Sequence, residues 1–108
     1  MSLDLPDPIS AYFAAKNAHD IDAMLAPFAE SAHVRDEGRD YDGHPAIRAW
    51  MEETTRKYRV TVAPEEASAD GARLTIRALV SGDFPGSPAY LTYRFVTSGD
   101  RIADLEIG

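Results

Sequence analysis

A chain of 108 residues with formal net charge −7, 44% hydrophobic and 27% charged residues, has the size and composition of one domain able to bury a core. Its longest run of Lys or Arg is the pair Arg56-Lys57, which argues against binding nucleic acid or an anionic membrane surface. It has no cysteine, so disulfides and thiolate chemistry are unavailable.

The N-terminal stretch "MSLDLPDPIS" lacks a basic segment followed by an apolar one. No apolar run approaches the ~20 residues that cross a bilayer. The expectation is a cytoplasmic, soluble, single domain over 1–108. Asp7-Pro8 reads as a cap followed by a proline in the first helical turn. Ile9, Tyr12, Phe13 and Lys16 then keep the i, i+3, i+4, i+7 spacing of one helical face. "NAHD" (17–20) ends that helix. Asp20 caps a second, short one carrying Ile21, Met24, Leu25 and Phe28, with Pro27 limiting its length.

"AHVRD" (32–36) is a strand and "EGRDYDG" a turn or short hairpin. Pro45 opens a third helix, with Ile47, Trp50, Met51, Thr54 and Tyr58 on one side and the i, i+4 pairs Glu52–Arg56 and Glu53–Lys57 on the other. After Tyr58 the period changes from about 3.6 to 2. "YRVTVAPEEAS", "RLTIRALVSG", "AYLTYRFVT" and "RIADLEIG" read as four consecutive antiparallel strands, interrupted by the irregular "GDFPGSP" (82–88). Helices first and strands afterwards give an α+β fold with helices on one face of a curved sheet.

In the strand ending at "HVRDEG", alternation places Val34 and Asp36 on one face and His33 and Arg35 on the other. A carboxylate on an aliphatic face is expensive to bury. Asp36 therefore either turns to water in the "DEG" turn or serves a purpose inside. The histidines His19, His33 and His44 have no ligand spacing, so no metal site is expected; His33 and Arg35 read as a surface pair and His44 as a helix cap. No glycine-rich phosphate loop, nucleophile elbow or nucleotide fingerprint is present, and no cofactor is expected.

"YFAAKNAHDIDAMLAPFAESAHVRD", followed by "YDGHPAIRAW" and the four-strand meander, resembles the SnoaL-like branch of the nuclear transport factor 2-like superfamily, from about Ile9 to Ile107. That superfamily includes ketosteroid isomerases, polyketide cyclases, scytalone dehydratase and limonene epoxide hydrolase. The resemblance implies a cone-shaped, mostly antiparallel sheet around a long helix, with a deep apolar cavity and commonly a homodimer through the outer face of the sheet. Apolar residues on both parities of the late strands, Leu79 opposite Ile76 and Tyr90 opposite Leu91, fit two coverings.

By the same resemblance Asp36 stands where isomerases keep their general base, and Tyr12 where they keep the tyrosine that donates to the substrate carbonyl. Leu91 stands where their second oxyanion donor, an acid, belongs. Losing such a donor costs about 10²–10³-fold in rate. Residues 59–108 contain no histidine, against dehydratase chemistry. An epoxide-hydrolase set of Asp36, Arg77 or Arg94, and Asp104 requires those arginines on the cavity face. Trp50, Tyr41, Tyr58, Phe84, Leu91 and Tyr93 are the lining candidates for a small apolar ligand. Two functions follow as expectations: an isomerase, cyclase or lyase acting on a small carbonyl compound by Asp acid/base chemistry, or a ligand-binding or dimerisation module without catalysis.

Overall fold

The structure is a computed structural model and describes residues 4–108; the first three residues of the N-terminal stretch lie outside it. Three helices precede or interrupt a six-stranded sheet: α1 (Asp7–Asn17), α2 (Ile21–Leu25), β1 (Phe28–Asp36), β2 (Arg39–Asp42), α3 (Gly43–Tyr58), β3 (Thr61–Asp70), β4 (Arg73–Ser81), β5 (Ala89–Ser98) and β6 (Arg101–Ile107). The sheet order is β2-β1-β6-β5-β4-β3. Every pairing is antiparallel except β1 with β6, where Val34 faces Leu105 and Asp36 faces Ile107. This is the expected α+β arrangement of helices on a curved sheet. The meander β3–β6 follows sequence order, as the alternation predicts, but the parallel seam arises from residues about seventy positions apart and leaves no local signal.

Local details depart from expectation in several places; Phe28, expected on the second helix, opens β1, and α2 ends at Leu25. Asp7 is the first residue of α1 rather than its cap; Pro6 holds the cap position and no side chain caps the turn. His44 does not cap α3 either; its Nε2–H donates across to the Phe28 carbonyl at 2.8 Å and ties α3 to β1. Neither Glu52–Arg56 nor Glu53–Lys57 closes to an ion pair among the described residues; Arg48 pairs instead with Asp22 of α2. Exposed pairs gain little Coulomb energy for the side-chain entropy they lose, so water wins over the spacing rule.

The core lies between α1, α3 and the inner face of the sheet. Ile9, Tyr12, Ile47, Phe28, Val34, Ile76, Phe95 and Leu105 are fully buried there. Tyr12 is the hub of its aromatic part, with ring centroids 5.3 Å from Phe13, 5.5 Å from Phe28 and 5.8 Å from Phe95. Asn17 ends α1 with its side chain bonded to both backbone groups of Val62, its Nδ2 donating to the carbonyl at 2.9 Å. That clamp fixes the angle between helix and sheet.

The outer face carries the opposite parity. Arg77 stacks on Tyr90, guanidinium carbon 3.8 Å from the ring centroid, and both side chains are exposed. His33, Arg35, Arg94 and Asp104 share this face, so the arginines required for an epoxide-hydrolase set point away from Asp36. His33 and Arg35 do not pair with each other; both reach Asp40 on the neighbouring strand.

Candidate functional site

The cone leaves a cavity of about 550 Å³ between α1, α3, the ends of β1, β4 and β6, and the first half of β5. Its wall is mostly apolar, with Val80, Leu91, Ile107 and Phe84 among the lining residues. The volume falls in the range typical of small-ligand sites, roughly 300–1,000 Å³.

One side of the mouth is built by the 82–88 segment. Gly82 lies so close to the end of α3 that a Cβ there would meet the Tyr58 carbonyl oxygen at 2.7 Å, so only glycine fits. Asp83 N–H donates to that same carbonyl at 2.7 Å. Gly82 N–H donates to Ser87 Oγ at 2.9 Å. This docking brings Phe84 edge-on to Tyr58, with centroids 6.2 Å apart.

Charged and hydroxyl-bearing side chains interrupt the apolar wall, Lys16, Asp36, Glu37, Thr54, Tyr58 and Tyr93 among them. Asp36, the last residue of β1, follows the parity of Val34 and turns into the cavity rather than into the adjoining turn. It is half-buried, and its Oδ2 accepts a hydrogen bond from Trp50 Nε1–H at 3.0 Å. Burial pushes its carboxyl above the usual aspartate value; the Trp50 bond, Lys16 and the backbone N–H of Glu37 oppose this, and the charge of Glu37 assists. Tyr93 enters from β5; burial, and then the charge of Asp36, drive its phenol well above the ordinary tyrosine value. Lys16 enters from the last turn of α1.

Six of the expected site residues line this one cavity: Asp36, Trp50, Tyr58, Phe84, Leu91 and Tyr93. Tyr12 does not. It is wholly buried behind the wall, and its hydroxyl finds no hydrogen-bond partner among the described residues. Burial, then Tyr93 and Asp36, raise its pKa well above the ordinary value, so it stays a neutral phenol near the site. Tyr41 lines an adjoining groove with Arg39, Glu53 and Lys57, which shares Glu37, Trp50, Thr54 and Tyr58 with the cavity wall; its ring is 6.0 Å from that of Trp50. A core of four rings outcompetes the cavity for Tyr12.

Sequence reasoning passed over Lys16. Its signal was its position, i+4 from Tyr12, on the apolar face of α1. It is 7% exposed. Among the described residues no three His, Asp or Glu side chains are grouped as metal ligands would be.

The model of the SnoaL-like domain family matches residues 9–104. The chain belongs to that family. Among solved structures, this SnoaL-like chain is similar to a candidate polyketide cyclase of Sinorhizobium meliloti, with 42% identity over 100% of this chain and 99% of the other and a TM-score of 0.95. It shares its fold with a protein of Catenulispora acidiphila described as ketosteroid isomerase-like in fold and crystallised with trimethylamine, at 23% identity, 97% and 86% coverage and TM-score 0.84. The fold is also that of TerC, crystallised with polyporic acid, at 16% identity, 94% and 88% coverage and TM-score 0.81. Comparison with curated protein sequences finds no match. No helix among the described residues is long and apolar enough to cross a membrane.

Proposed function

We propose that the cavity takes a small, largely apolar carbonyl compound and that Asp36 moves a proton on it, as an isomerase, cyclase or lyase would. The observation that carries this reading is the half-buried Asp36 carboxylate on an apolar wall. Trp50 holds one of its oxygens, and the carboxylate lines the cavity. A carboxylate with raised pKa is a better base than a solvated one and takes a carbon-bound proton more readily. The carbon–hydrogen bond next to the carbonyl breaks, its proton passes to Asp36, and an enolate forms. Returning the proton to another carbon isomerises the compound; attack of the enolate carbon on a second carbonyl closes a ring. Similarity to a candidate polyketide cyclase supports the same class of chemistry. No metal or organic cofactor enters these steps.

Binding without catalysis is the second reading, favoured by Tyr12 lying off the wall and by Leu91 standing on it. Deuterium exchange separates the two. A small cyclic β,γ-unsaturated ketone incubated in D₂O should exchange its α-hydrogens faster with the wild-type protein than with Asp36→Asn, by about 10²–10⁴-fold. Binding of the ketone with no exchange above buffer sinks the catalytic reading and leaves the ligand-binding module. A homodimer through the outer face is part of the same proposal, with half-buried Leu79 and Val96 beside exposed Tyr90 at its centre; sedimentation at the monomer mass of 11.8 kDa refutes it.

A further inference from the structure

Lys16 is the one buried cation of the described core. Its ammonium forms no hydrogen bond or ion pair within 4.0 Å among the described residues. It stands 5.7 Å from the Tyr12 ring centroid and 5.8 Å from that of Trp50, so two aromatic faces position the charge without neutralising it. The same side chain lines the cavity together with Asp36. An unpaired charge carries a desolvation penalty that an apolar residue would avoid. An anionic oxygen in the cavity would relieve that penalty, and the apolar wall restricts what can carry such an oxygen.

We infer that Lys16 is the anion-recognition group of the cavity, and that the ligand is an apolar, ring-bearing compound with an acidic oxygen, an enol or a phenol, whose oxyanion binds the ammonium. The inference rests on the cavity being the ligand site and adds the substrate class to that reading. Lys16 and Asp36 line one cavity without touching, so they can address different atoms of one ligand. This supplies the electrophile that Tyr12, turned into the core, and Leu91 do not. Burial lowers the lysine pKa to about 8, with Asp36 opposing, so the side chain is still mostly charged at neutrality.

The test uses para-nitrophenol, which ionises near neutrality and changes colour when it does, and its methyl ether para-nitroanisole, which cannot ionise. Both are titrated by calorimetry into wild type, Lys16→Met and Lys16→Gln at about pH 7. Wild type should prefer the phenolate to the ether by about 10- to 100-fold, as expected for a hydrogen bond to a charged group. Both variants should lose that preference while holding the ether as before. Retention of the preference in a folded variant, or its absence in wild type, overturns the inference while leaving the cavity reading intact. If neither compound binds wild type, the cavity reading falls and takes the inference with it. Should both variants fail to fold, the colour of the dye bound to wild type decides. A bound dye more ionised than the free dye supports the inference, and a bound dye in its neutral form refutes it.

Discussion

Replacing Lys16 by methionine keeps the length of the side chain and removes its charge, so the free protein should become more stable. The size of the gain follows from the displacement of the lysine pKa from 10.5 to about 8. At 1.36 kcal/mol per unit, a shift of that size corresponds to about 3 kcal/mol of folding free energy. At 7% exposure, solvent screening takes little from this figure. The unfolded chain holds the proton up to about 10.5, while the folded chain releases it near 8. The penalty is therefore complete below about pH 8 and shrinks as pH rises toward 10.5, so wild-type stability should climb through that window. Urea unfolding of both proteins at about pH 7 and about pH 9.5 tests this, because the slope of a small domain, ~1–3 kcal/mol per molar urea, converts the difference into a midpoint shift of order 1 M or more. Lys16→Met should exceed wild type at the lower pH, and the gap should narrow at the higher one. A less stable variant at about pH 7, or a gap unchanged between the two pH values, refutes the claim that this charge is buried at a cost.

Tyr12→Phe removes a buried hydroxyl that has no protein partner, so stability should hold or rise by up to about 1 kcal/mol in the same assay; a loss beyond about 1 kcal/mol would show that the hydroxyl is bonded in solution. His33 faces carboxylate oxygens of Asp104 and Asp40 from its two ring nitrogens, each at 2.8 Å, and only the doubly protonated ring donates to both. The bond to Asp104 raises its pKa, burial opposes, and the bond to Asp40 adds to the rise. Its contribution to stability is whole below the ordinary histidine value of about 6.5 and is lost as pH rises through the raised one. NMR titration of the ring should give a value above 6.5, and His33→Gln should flatten the stability profile in that window; a ring titrating at or below 6.5 contradicts the pairing. For Asp36, carboxyl NMR should find titration above the ordinary 3.8, and a midpoint at or below it removes the basis for its role as a base.

Strand parity made most of the cavity wall readable in advance. A strand has two faces, so fixing Val34 as buried fixes Asp36 as inward, and the same logic placed Leu91 with Tyr93. Helix α1 was harder, because its apolar face is wide enough to serve two environments. Tyr12 and Lys16 lie one turn apart on that face, yet one is sealed among rings and the other opens on the cavity. Only the position of the sheet decides between them. Long amphipathic side chains commonly carry their charge out to water, so the spacing alone does not mark the lysine as buried. Tyr41 could not be placed before the hairpin that holds it, and the parallel seam involves no neighbouring residues at all.

That seam has a consequence for the nascent chain. During synthesis β1 emerges long before β6, its interior neighbour, and only β2 is available to pair with it locally. Until some seventy further residues have been made, one edge of a nine-residue strand carries unpaired backbone groups, the arrangement that invites association between chains. Glu30, His33, Arg35 and Asp36 break its apolar run and give it the charge that keeps such edges apart. Asp36 would thus serve twice, first holding an unfinished strand in solution and afterwards facing the cavity that the finished sheet encloses.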